Sequence, residues 1–135
     1  MNSLNKKVLG VLLALIHSQL VLAAEGGDGV EQMLRRTFGK PNNPVTTEAI
    51  VVQDNYALAD WTQGSIGGRV LLVKTPESWK VLVCGGEALM RVDNIKGARV
   101  PEKTAQLLVS QLVDSEKMIS NEKIKRINSF KGGKH

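Results

Sequence analysis

The sequence predicts an α+β domain: an N-terminal helix, a four-stranded antiparallel β-meander, and C-terminal helices packed on one face of the sheet. Apolar residues recur at helical spacing near the start and again after residue 101. Between Glu48 and Cys84, four runs are rich in β-branched, leucine and aromatic residues. The separators between these runs are too short for a parallel crossover, which leaves antiparallel neighbours.

The first helix is read from "VEQMLRRTFGKPNNP", where Val30, Met33, Leu34 and Phe38 fall on one face and Glu31, Gln32, Arg35 and Arg36 on the others. Gly39 suits the C-terminal cap, and Pro41 and Pro44 prevent the helix from resuming. Residues Gly26 to Gly29 read as a short flexible lead.

The strands are read from "EAIVVQ", "YALADWTQ", "GRVLLVKT" and "SWKVLVC". Asp54-Asn55, Gly64 to Gly68 and Pro76-Glu77 separate them, each with turn residues. Strict alternation puts Trp79, Val81 and Val83 on one face of the last strand and Lys80, Leu82 and Cys84 on the other. Val70 to Val73 is apolar on both faces, as an interior strand requires.

After Gly85-Gly86 a short helix is expected over "EALMRV", then a loop over "NIKGARVPEK". Pro101 and Glu102 suit the start of the next helix. Ala105, Leu108, Leu112 and Ile119 form its apolar stripe, which Leu107 and Val113 widen. "NEKIKRINSF" adds Ile124, Ile127 and Phe130.

Residues 1–24 have the marks of a secretory signal peptide: Lys6 and Lys7, an apolar run from Val8, and small residues at Ala23 and Ala24. Val21-Leu22-Ala23 or Leu22-Ala23-Ala24 would serve as the cleavage site. Residues 25–132 then form a single α+β domain, and 133–135 a polar tail. Cleavage would remove two of the eighteen basic residues and no acidic one, leaving sixteen against thirteen. These charges are interspersed, with no basic run flanked by aromatics, so nucleic-acid binding is not expected.

The two histidines, His17 and His135, lie in the leader and at the last position. The domain therefore lacks an interior histidine for a Ser-His or Cys-His pair or for a His-rich zinc site. The expectation is a protein that is not an enzyme. Asp60, Glu77, Glu87 and Asp93 form no pair at catalytic or metal-site spacing.

Three features remain as candidate sites. The run "GSIGGR" fails the phosphate-loop pattern, because Arg69 is followed by strand rather than by lysine, serine or threonine and a helix. It reads as a hairpin loop, with an anion contact at Arg69 and the loop amides as the lesser alternative. Trp61 and Trp79 read as core anchors, with a ligand-lining role open if the sheet curves. Cys84, the single cysteine, ends a strand just before a predicted helix, where a helix dipole would lower a thiol pKa. With Met90 it would offer thiolate and thioether to Cu(I). On residue chemistry alone, a buried and unreactive cysteine is favoured over that ligand pair.

"ALADWTQGSIGGRVLLVK", "SWKVLVCGGEAL", "VPEKTAQLLVSQL" and "INSFKG" together resemble a family of small exported bacterial proteins, the copper uptake system-associated proteins. The resemblance runs from Met33 to Gly132, and its distinctive part is the Trp–Gly–Gly–Arg hairpin followed by a strand ending in cysteine. The family pattern has serine and aspartate after the cysteine, where this chain has Gly85 and Glu87, and some members have a histidine-rich end where this one has His135.

The resemblance implies a periplasmic, non-catalytic accessory protein associated with copper uptake. It would either hold Cu(I) transiently through Cys84 and Met90 or dock to a membrane copper-uptake component. It carries over no catalytic residue. The alternative is a metal-free periplasmic module that binds a small apolar ligand or a protein.

Overall fold

All four strands form, in a computed structural model that describes residues 26–132. The signal-peptide reading and the polar tail fall outside these residues. β1 (Thr46–Gln53), β2 (Tyr56–Gln63), β3 (Ile66–Lys74) and β4 (Trp79–Gly85) lie side by side in chain order, each antiparallel to the next. The first two connections are two-residue turns, Asp54-Asn55 and Gly64-Ser65, each opened by a residue at positive φ, 54° at Asp54 and 60° at Gly64. In the third, Thr75 and Ser78 bond to each other through backbone and side chain.

The second hairpin is tighter than the glycine run implies. Gln63 pairs with Ile66, so Gly67 and Gly68 are strand residues opposite Thr62 and Trp61. Gly68 is there for space: a Cβ on it would fall 2.7 Å from the Trp61 ring and 3.0 Å from Phe130. Its bare backbone lets both rings lie on the sheet.

Two bulges break the alternation of faces. In β4, Leu71 pairs with Val83 and Leu72 with Val81, leaving Leu82 as the extra residue. The expected facing of β4 is corrected accordingly. Trp79, Val81 and Cys84 share one core, while Leu82 and Val83 both turn to the other. In β1 the extra residue is Glu48, between Thr47 and Ala49.

Both faces of the sheet are covered. Residues 26–38 form helix α1, whose Val30, Met33 and Leu34 pack on Ala57, Ala59, Val70, Leu72 and Trp79. The small Ala57 and Ala59 give α1 room to approach. α2 (Val92–Gly97) and α3 (Glu102–Glu116) cover the opposite face with Ile95, Ala105, Leu108 and Leu112 over Val51, Leu58 and Leu71.

A one-turn 3-10 helix, Glu87–Met90, precedes α2, so part of the expected loop after Asp93 is helical. So short a helix is held by packing more than by propensity, and Ile95 is fully buried in the second core. Val113 is exposed and does not widen the α3 stripe. α3 ends at Glu116, and Ser120 caps α4 (Asn121–Asn128), accepting from the Lys123 amide. α4 lies on the hairpin end of the sheet, with Ile127 against Gly67.

Candidate functional site

Between α1 and the hairpin end of the sheet is a cavity of about 270 Å³. α1 contributes Leu34 and Phe38, and the sheet side is formed by Trp61, Val70 and Cys84. Phe130, beyond α4, closes it by meeting Trp61 edge to face, with ring centroids 5.1 Å apart and planes at 76°. Gln63 is the polar residue of the lining, and its amide is spent on the carbonyls of Phe38 and Asn43, both at 2.9 Å, which pin the end of α1 to the hairpin. The walls are therefore apolar, with one thiol among them.

Cys84 is half-buried, and burial pushes its thiol above the ordinary value. The expected lowering by a following helix is not seen. That helix is a single 3-10 turn with Glu87 at its start, and desolvation dominates. The sulfur is a neutral thiol at neutral pH, and any metal it took would have to displace the proton.

The bulge at Leu82 also decides the company Cys84 keeps. Cys84 packs with the α1 core, whereas Met90 packs with the α2–α3 core across the sheet, so the structure does not bring the two together. Met33 shares the Cys84 side, its sulfur accepting from the Thr37 hydroxyl at 3.4 Å. Met118 is exposed. Among the described residues, no group of three or more His, Cys, Asp or Glu is placed to hold a metal ion. Of the two tryptophans, Trp79 is a core anchor beneath α1, and Trp61 lines the cavity.

The opposite face of the same hairpin carries a buried charge cluster. Asp60 and Arg69 are paired across β2 and β3, with relative exposures of 0% and 1%. Arg69 Nε and Nη2 reach Glu116 Oε1 at 2.9 and 2.8 Å. Its Nη1 donates to the Gly86 carbonyl at 2.9 Å and to Asn128 Oδ1 at 2.7 Å. The guanidinium is thus fully engaged inside the protein, which removes the anion contact considered for it.

Asp60 Oδ1 lies 3.3 Å from Arg69 Nε, whose hydrogen bond goes to Glu116 instead. Burial and then the neighbouring Glu116 carboxylate raise Asp60 to about 8 against the pull of Arg69. Asp60 thus holds its proton well above the ordinary carboxylate range, and among the described residues neither of its carboxyl oxygens has a hydrogen-bond partner. A second layer lies beside it: bulged Glu48 accepts from Thr62 at 2.8 Å and pairs with Lys123 at 3.2 Å.

Sequence spacing missed this cluster because its members come from distant parts of the chain. The available signal was the turn register: a connection at Gly64-Ser65 puts Asp60 opposite Arg69.

Among the described residues, no helix is long and apolar enough to cross a membrane. Compared with known proteins, the chain matches no family model, no curated protein and no solved structure.

Proposed function

We propose that the chain is a non-catalytic binding protein whose cavity beneath α1 takes a small apolar group. The observation that carries this is the cavity itself, about 270 Å³, with apolar walls and its one polar lining residue, Gln63, already bonded. Ligand sites of this kind are concave, mostly apolar and largely preformed. The volume is close to the lower end of the ~300–1,000 Å³ typical of such sites, which favours a fused-ring aromatic or a short acyl chain. Calorimetric titration with indole and with medium-chain acyl compounds tests this. Saturable heat that is lost in Ile66→Trp, a substitution at the half-exposed rim, supports the reading; equal heats in both proteins would refute it.

A second reading follows from the resemblance to copper uptake system-associated proteins and from the position of Cys84 in the cavity wall. In that exported setting the protein would offer the Cys84 sulfur transiently to Cu(I), or dock to a membrane copper-uptake component. Met90, across the sheet, would not share the ion. Cu(I) titration against a competing chelator, repeated with Cys84→Ser, tests direct binding. Equal affinities would leave docking as the copper reading.

A further inference from the structure

We infer that the C-terminal strap, residues 129–132, is a proton-controlled cover of the cavity, held shut by the buried cluster of Asp60, Arg69 and Glu116. The inference rests on the cavity being the binding site, and it assigns that site a regulator on the far face of the sheet.

The connection is short and physical. Arg69 bonds the last residue of α3, Glu116, the last residue of α4, Asn128, and the Gly86 carbonyl. Phe130 follows Asn128 by two residues and forms the cavity wall against Trp61. Beyond it, Gly132 lies against the Cys84 carbonyl and the Phe130 ring. Loss of the Arg69–Asn128 bond would remove the anchor at the base of the strap and leave it held by the Trp61–Phe130 contact and by Gly132 against the Cys84 carbonyl.

Asp60 is the group able to loosen it. It is fully buried, and among the described residues neither of its carboxyl oxygens has a hydrogen-bond partner. Protonated, it adds no charge, and the Arg69 guanidinium is left to Glu116, Gly86 and Asn128. Ionised, it sets a second carboxylate, itself closed to water, in competition with Glu116 for Arg69, and the bonds to Glu116 and Asn128 are redistributed.

The groups packed around Asp60 act on the same balance. Arg69 comes from β3, and Glu116 from the end of α3, 13% exposed and so the member able to swing outward. Glu48 of β1 adds negative charge, which Lys123 of α4 pairs. Arg126 of α4 is turned to the Gly64 carbonyl and Glu122. Gly86, before the 3-10 turn, supplies a carbonyl. Ionisation of Asp60 near pH 8 thus falls on an arrangement already rich in carboxylates.

Cys84, the sole cysteine, reports on the cover. The experiment is iodoacetamide labelling of the full chain from about pH 6 to about pH 9.5, with each rate divided by that of Asp60→Asn to cancel thiol ionisation. The ratio is expected to stay near unity at the acid end and to rise roughly threefold or more at the alkaline end. In Phe130→Ala, labelling at the acid end should be faster than in the unsubstituted protein, and the ratio to a matching double variant flat. A flat ratio in the unsubstituted protein, or a rise that persists without the Phe130 ring, overturns the inference.

If Asp60→Asn does not fold, the Trp61 indole N–H resonance of the unsubstituted protein serves instead. A shift titrating near pH 8 supports the cover, and an invariant resonance sinks it. Indole binding measured at about pH 6 in the same samples separates the two readings: binding with flat labelling keeps the cavity and removes the switch.

Discussion

Trp61 of β2 and Phe130 of the C-terminal strap meet edge to face over Gly68, whose missing side chain leaves room for both rings. This contact closes the cavity next to Cys84 and fastens the end of the chain to the sheet. On the other face, directly behind it, Arg69, beside Asp60, bonds the ends of α3 and α4.

Stability should fall as pH rises. In the unfolded chain Asp60 loses its proton near 3.8, and in the folded protein near 8. Between these values the folded state holds a proton that the unfolded state has released, so the contribution is full below the lower value and is lost as pH rises through the upper one. Urea midpoints for the unsubstituted protein should therefore drop across this window, by a free energy of a few kcal/mol, while Asp60→Asn flattens the profile. Parallel profiles for the two proteins would count against a buried, protonated Asp60.

Arg69→Met removes the cation that Asp60 and Glu116 share. The loss should be about 3–5 kcal/mol at neutral pH, because Glu116 is left facing Asp60 without compensation. Arg69→Lys should recover only part of it, since a lysine cannot reach Glu116, Gly86 and Asn128 with a fixed fork of donors. Chemical denaturation of both variants measures this.

Gly68→Ala places a methyl 2.7 Å from the Trp61 ring. The expected cost is about 1–3 kcal/mol, with displaced Trp61 and Phe130 resonances. Gly27→Ala is the control: a methyl there meets nothing within 4 Å, and the change sits in α1, so it should be neutral or slightly stabilising. Similar losses in both variants would show that the Gly68 position has no special tolerance for the rings.

Met90→Leu should leave any Cu(I) affinity unchanged, because Met90 belongs to the core opposite Cys84, and its stability cost should stay under about 1.5 kcal/mol. A Cu(I) affinity that falls in Met90→Leu as it does in Cys84→Ser would require the two sulfurs to meet.

The strands and their order were legible because β-rich runs and short turns leave an antiparallel meander as the available arrangement. The helical stripes of α1 and α3 were equally plain in Val30, Met33, Leu34 and in Ala105, Leu108, Leu112. What alternation could not show was the bulge at Leu82, which inserts one residue and carries Cys84 to the α1 side. The pairing of Cys84 with Met90 depended on that unseen residue.

In sequence, Gly67 and Gly68 look like turn residues because glycine has the same signature in a turn and beneath a packed ring. Only the position of Trp61 separates the two cases. Glu116 and Asn128 join Asp60 and Arg69 through the docking of α3 and α4, which sequence spacing does not encode.

The most direct test of the binding role is a nuclear magnetic resonance titration of the isotopically labelled protein with indole at about pH 6. Saturable shifts confined to the Trp61 indole, Val70, Cys84 and Phe130 are expected. Shifts centred on Leu108 and Met90 across the sheet, or no saturable shift at any residue, would contradict a binding site beneath α1.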